Sequence, residues 1–221
     1  MNAGTARSHF AATLVFIGGL LLVASDAPLW CVAVAAAAAA WRLALASRRV
    51  AEPKPRRGMR FVFGVLTAIF VGAVLMSFRT LNGLAAGTAL LVLMGALKLI
   101  EARSRRDDGI VIGVALFLLL AAVLADQSMW RIPLYLLMLW GVGAAMALVA
   151  HAGTALTPRT ALRLSARALA MAVPFAVVAF LFFPRFGGQF WALERGGQAA
   201  TGLTDETVSY THLTLPTILR V

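Results

Sequence analysis

Seven apolar stretches run down this chain, separated by short polar segments. They cover residues 10–25, 27–46, 61–77, 83–100, 109–125, 129–150 and 168–183. A helix that crosses a bilayer needs about 20 mostly apolar residues. The first stretch is short by that measure, and the second passes through a run of alanines. Lipid offers no partner to a free N–H or C=O, so each stretch must close its hydrogen bonds within itself, as a helix does. The pattern predicts an all-α fold: a polytopic transmembrane helical bundle of about seven spans.

Composition strengthens that reading. Hydrophobic residues make up 61% of the 221 residues and charged residues 13%, where a soluble domain carries about 25% charged. The polar segments are too short for a second folded domain. The expected organisation is a transmembrane helical domain over 1–183, an extracytoplasmic Gly-rich linker over 184–207, and a separate tail over 208–221.

Arginine fills every second gap. Arg48, Arg49, Lys54, Arg56, Arg57 and Arg60 follow the second stretch, with Arg42 just inside it. Arg103, Arg105 and Arg106 follow the fourth, Arg159, Arg163 and Arg167 follow the sixth, and Arg7 precedes the first. The other side sets Arg79, Arg131, Arg185 and Arg195 against Asp26, Asp126, Glu194, Asp205 and Glu206. Basic loops stay cytoplasmic, so the N-terminus is expected inside and the chain is expected to emerge outside after residue 183. The net charge of +11 is then a topology signal. A nucleic-acid surface would gather its arginines on one folded face with aromatics between them, so no nucleic-acid partner is expected.

The first stretch also resembles a cleaved signal peptide, with a basic start, an apolar core and small residues at Ala24-Ser25-Asp26-Ala27. An uncleaved anchor is favoured, because the next span follows within a few residues as a hairpin partner.

Charges inside spans are functional candidates, and few are present. Lys98 lies near the basic end of the fourth span, with Glu101 three residues on and Arg105 four beyond. That spacing places the three on one helical face, as an interfacial ion-pair ladder. The mid-span lysine of a retinal protein is missing from the last span. Arg79 is a lone cation at the outer turn, a candidate for a lipid phosphate or a carboxylate. Gly83 and Gly87, four apart, form a small-xxx-small pattern suited to close helix approach. Pro174 should kink the last span. Phe180, Phe182, Phe183, Phe186, Phe190 and Trp191 read as an interfacial belt at its exit.

Catalytic chemistry is not expected of this chain. Cys31 is the only cysteine and lies in the second span, so it reads as a packing residue. His9, His151 and His212 are scattered, and no Ser-His-Asp or Cys-His-Asp set is expected on one side. No metal site and no cofactor are expected either. The candidate interfacial, lipid or partner contacts are Arg79, Lys98, Glu101, Arg103 and Arg185.

One block carries a family resemblance: Leu81-Asn82-Gly83-Leu84-Ala85-Ala86-Gly87, then Leu93 through Arg103, then Arg106-Asp107. It resembles the corresponding region of the TgpA-type transglutaminase family. Phe183-Pro184-Arg185-Phe186, Phe190-Trp191 and Thr201-Gly202-Leu203-Thr204-Asp205 resemble the stretches that follow that family's last N-terminal span. The resemblance covers residues 11–206. It implies a multi-span domain that precedes an extracytoplasmic transglutaminase-like domain with a papain-type Cys-His-Asp triad, and usually a final span. No position here matches a catalytic residue of that family. The implied role is a bacterial inner-membrane anchor and scaffold, its partners the bilayer and an enzyme domain missing from this chain.

Residues 208–221, VSYTHLTLPTILRV, resemble a translated tagmentation sequencing adapter. The adapter's bases encode Val208 through Thr217 and, past a variable index, Val221 and a stop. The tail is therefore set aside from fold reasoning. A small multi-span transporter and a stand-alone lipid-binding scaffold remain as alternatives. A transporter would show mid-span charges or paired broken helices.

Overall fold

The computed structural model describes residues 3–48, 59–79, 83–151 and 156–182. The linker, the tail and Arg185 lie outside the described residues. Seven long helices follow one another: α1 (Ala3–Val23), α2 (Leu29–Arg48), α3 (Met59–Phe78), α4 (Leu84–Glu101), α5 (Arg105–Ala125), α6 (Ile132–Ala150) and α7 (Pro158–Phe182). A short 3₁₀ turn, Met129–Arg131, leads into α6. Six are long and apolar enough to cross a membrane. The exception is α2, whose apolar part is Leu29–Leu45.

Two elements differ from the expected bounds. The first stretch is not short: α1 begins at Ala3, because Arg7, Ser8 and His9 continue the helix below its apolar part. The last helix starts at Pro158, ten residues ahead of the expected 168. Proline at a helix start has no N–H to leave unpaired, and Arg159, Arg163 and Arg167 recur at four-residue intervals down an exposed face. The helix runs on through Pro174 to Phe182.

The core lies where α1 meets its neighbours. Helix α1 packs on α2, α4, α5 and α6, while α3 packs on α4 and α7 on α6. Phe16, Leu93, Leu99 and Leu118 are fully buried at that centre. A segment so placed is a structural member of the bundle.

The close approach that permits this centre is at Gly95. A Cβ there would lie 2.6 Å from Phe16 Cε2 and 2.7 Å from Val114 Cγ1. Gly83 and Gly87 do not serve the close contact their spacing suggested: a Cβ on either meets nothing within 4 Å. Gly83 instead takes a φ of 110° at the start of α4, a conformation that only glycine adopts readily.

Helices α6 and α7 are joined by two crossed hydrogen bonds. The Trp140 indole donates to the Leu162 carbonyl at 2.9 Å, and Ser165 donates to the Trp140 carbonyl at 2.8 Å. The bulk of α7 beyond Ser165 is exposed.

A pair of alanine substitutions separates the two glycine roles. Gly95→Ala should destabilise the bundle by about 1–3 kcal/mol through overpacking. Gly87→Ala should be neutral, or stabilising by up to about 1 kcal/mol through helix propensity. Thermal melts in detergent distinguish them, and an equal response would show that Gly95 is not the tight point.

Candidate functional site

A buried polar cluster draws side chains from three helices at the arginine-bearing end of the bundle. Ser8 and His9 come from the first turns of α1, Arg42 from the end of α2 and Asp108 from the first turn of α5. Asp108 is 1% exposed, Ser8 0%, Arg42 6% and His9 8%. An isolated charge so buried would cost several kcal/mol, so the partners decide whether the site stands.

Asp108 accepts on both oxygens. Ser8 Oγ donates to Oδ2 at 2.9 Å, and His9 Nδ1 lies 2.5 Å from Oδ1. A carboxylate can only accept, so the imidazole proton sits on Nδ1. Arg42 Nη2 is 3.3 Å from that same nitrogen. A protonated Nδ1 has no lone pair for it, so the guanidinium acts there as a neighbouring positive charge. Its hydrogen bond goes to the Ala102 carbonyl, just past the end of α4. The carbonyls of a last turn lack intrahelical partners and carry the negative end of the helix dipole. Thr13 Oγ1 donates to the His9 carbonyl at 2.8 Å, one turn along α1.

The set corrects the expectation that no Ser-His-Asp group forms on one side. Ser8, His9 and Asp108 do meet, but the serine donates to the aspartate and not to the imidazole. In a catalytic triad the imidazole takes the serine proton and the aspartate orients the imidazole. Here the proton already points at a carboxylate, and the group has no open face. The cluster is a clasp.

Beside it, the turn from α4 to α5 brings together three of the five candidate contacts. Lys98 Nζ pairs with Glu101 Oε2 at 3.1 Å and with Asp107 Oδ1 at 2.8 Å. The second carboxylate is therefore Asp107, and the predicted third member of the ladder, Arg105, is exposed and outside it. The reason lies in the turn. Ser104 caps α5 and exchanges bonds with Asp107 in a capping box, which swings Asp107 back toward Lys98. The backbone N–H of Arg103 also donates to Asp107, at 3.2 Å. Neighbouring carboxylates thus do different work: Asp107 holds the turn and Asp108 holds the clasp. Both favour the positive end of α5.

Arg79 stands apart at the opposite end. It ends α3 with a φ of 55° and is exposed. At that end the α5–α6 turn has its own knot. Ser128 donates through both its amide and hydroxyl to Asp126, and Arg131 Nε pairs with Asp126 at 3.0 Å. Tyr135 donates to the Asp126 carbonyl at 2.8 Å. The Ser128 donors, with help from Arg131, hold the Asp126 carboxyl below its ordinary value.

Among the described residues, no group of three or more His, Cys, Asp or Glu could hold a metal ion. The clasp is not legible in the sequence because its contacts link residues 33 to 100 positions apart. One signal was available: Arg42 lies inside an apolar stretch, and a charge there requires partners.

Two substitutions at adjacent positions test the division of labour. Asp108→Ala should cost about 3–5 kcal/mol, since it removes the buried carboxylate that Ser8 and His9 both bond. Asp107→Ala should cost about 1 kcal/mol, the usual value of a cap and a half-exposed pair. Chemical or thermal denaturation in detergent measures both. At the other end, a lowered carboxyl stabilises the fold above the ordinary aspartate value of about 3.9 and loses that effect as pH falls through its lower folded value. The stability difference between the native chain and Asp126→Asn should hold from pH 7 to 5 and shrink below about pH 4. A difference independent of pH would exclude an ionic role.

Comparison with known proteins agrees with this architecture. The family model described as the TgpA N-terminal domain matches residues 11–215, ending within 208–221. A protein-glutamine gamma-glutamyltransferase of Pseudomonas aeruginosa is 32% identical over 180 residues, which are 80% of this chain and 26% of that protein. The chain thus spans about a quarter of the length of the curated relative it matches. No solved structure matches. By the extent of the family match, the chain belongs to the TgpA N-terminal domain family.

Proposed function

We propose that this bundle is the inner-membrane anchor and scaffold of an extracytoplasmic transglutaminase-like enzyme. The observation that carries the proposal is the alternation of the helices. Seven of them pass back and forth, and the arginine-rich segments fall at the end where α1, α3, α5 and α7 begin. Basic ends stay cytoplasmic, so α7 would deliver the following chain to the outside. The relative's printed activity, transfer of the gamma-glutamyl group of protein glutamine, supports a parent enzyme of that class. A membrane domain suits such a role when it is rigid, and the clasp joins α1, α2, α4 and α5 into one unit.

Nothing in this bundle supplies the thiol chemistry. Cys31 is 0% exposed within α2, and the Ser8 hydroxyl donates to Asp108, not to an imidazole. The transfer reaction is assigned to a domain beyond this region.

Reporter fusions at Pro53, Arg105 and Pro158 should register the cytoplasm, and one at Gly196 the exterior. An exterior signal at Pro53 would reverse the orientation. The purified chain should show no thiol-dependent amide transfer. Activity that disappears in Cys31→Ala would move the chemistry into the bundle.

A further inference from the structure

An apolar groove of about 450 Å³ runs between α1 and α6, flanked at one end by α7. It extends from Ala11 and Leu162 at the basic end to Leu22 and Leu134 toward the other. Its floor is tight where Gly18 meets Met138, with a Cβ on Gly18 falling 2.8 Å from the Met138 sulfur. Gly141 leaves it open, since a Cβ there meets nothing within 4 Å. Eleven residues of α1 separate Ala11 from Leu22, a rise of about 16 Å. That matches one leaflet of hydrocarbon, about half of a 30 Å core. The volume also falls in the usual range for a small-molecule site, about 300–1,000 Å³.

The basic mouth of the groove identifies the occupant. Arg7 lies four residues before Ala11, one turn below it on the same face of α1. Arg159 lies three residues before Leu162 on α7, and Arg163 four beyond Arg159. All three arginines are exposed. No carboxylate among the described residues pairs with any of them. Unpaired arginines bind phosphate well, by bidentate hydrogen bonds and by charge.

We propose that this groove is a binding site for an anionic glycerophospholipid. One acyl chain lies along α1 and α6, and the phosphate sits among Arg7, Arg159 and Arg163. The lipid belongs to the leaflet that faces the basic end. By filling the gap beside α7, it would fix the helix that leads out of the bundle. The site does not depend on the enzymatic reading of the parent.

Native mass spectrometry of the full chain in detergent provides the test, with phosphatidylglycerol and phosphatidylcholine of identical acyl chains as probes. One phosphatidylglycerol should be retained per chain, with phosphatidylcholine washed away. Gly141→Leu, which fills open space, should lose the bound lipid while its helicity and melting in lipid-free detergent stay unchanged. Replacing Arg7, Arg159 and Arg163 together by Gln should weaken phosphatidylglycerol at least about tenfold and leave phosphatidylcholine unaffected. These arginines are exposed, so this variant should fold even if Gly141→Leu does not. Equal retention of the two lipids would overturn the proposal. So would undiminished phosphatidylglycerol in a folded Gly141→Leu or in the arginine variant, or a dimer mass that Gly141→Leu abolishes.

Discussion

The bundle depends on the Asp108 carboxylate. Buried at the start of α5, it accepts from Ser8 and His9 of α1, while Arg42 of α2 stands beside the imidazole and bonds the end of α4. Apolar packing alone places helices poorly in lipid, because lipid tails are as apolar as leucine and give no hydrophobic drive for association. Directional polar contacts supply the register. Once Ser8 and His9 reach Asp108, the phase of α1 against α5 is set, and Phe16 then falls opposite Gly95 one face along.

The two ends of the bundle solve the same problem differently. At the basic end, a buried clasp and a half-exposed salt bridge share one turn, with Asp107 and Asp108 pointing to opposite partners. At the other end, the α5–α6 turn is exposed and closes with local bonds among Asp126, Ser128 and Arg131. The clasp joins elements far apart in sequence and is costly to break. The outer knot joins neighbours, and its Ser128 donors hold the Asp126 carboxyl below its ordinary value. Helices α3 and α7 belong to neither network and each packs on a single helix, whereas α1, α2, α4, α5 and α6 each pack on two or more.

That division bears on the proposed function. A scaffold would need interlocked helices and a route out of the membrane. The clasp interlocks helices at the basic end. Helix α7, the proposed route out, is held by the Trp140 and Ser165 bonds near its start and is exposed beyond them. A lipid in the proposed groove would add to those two bonds without any protein contact.

The sequence by itself determined the class of fold, the number of helices, the placement of basic residues at alternate ends, and the family resemblance. Those features rest on local composition: an apolar run long enough to cross lipid must be a helix, whatever surrounds it. It also placed Lys98 beside Glu101, because helical spacing is a local rule. Only the tertiary structure decided that Lys98 pairs with Asp107 and leaves Arg105 outside, since the capping turn reverses the chain there. It moved the tight glycine from the Gly83–Gly87 pair to Gly95, which the pattern could not do without knowing which face meets Phe16. It likewise assembled Ser8, His9, Arg42 and Asp108, of which only Arg42, inside an apolar stretch, stands out in its own segment. Sequence patterns report what a segment must do alone, and a buried ionic contact is a property of segments brought together.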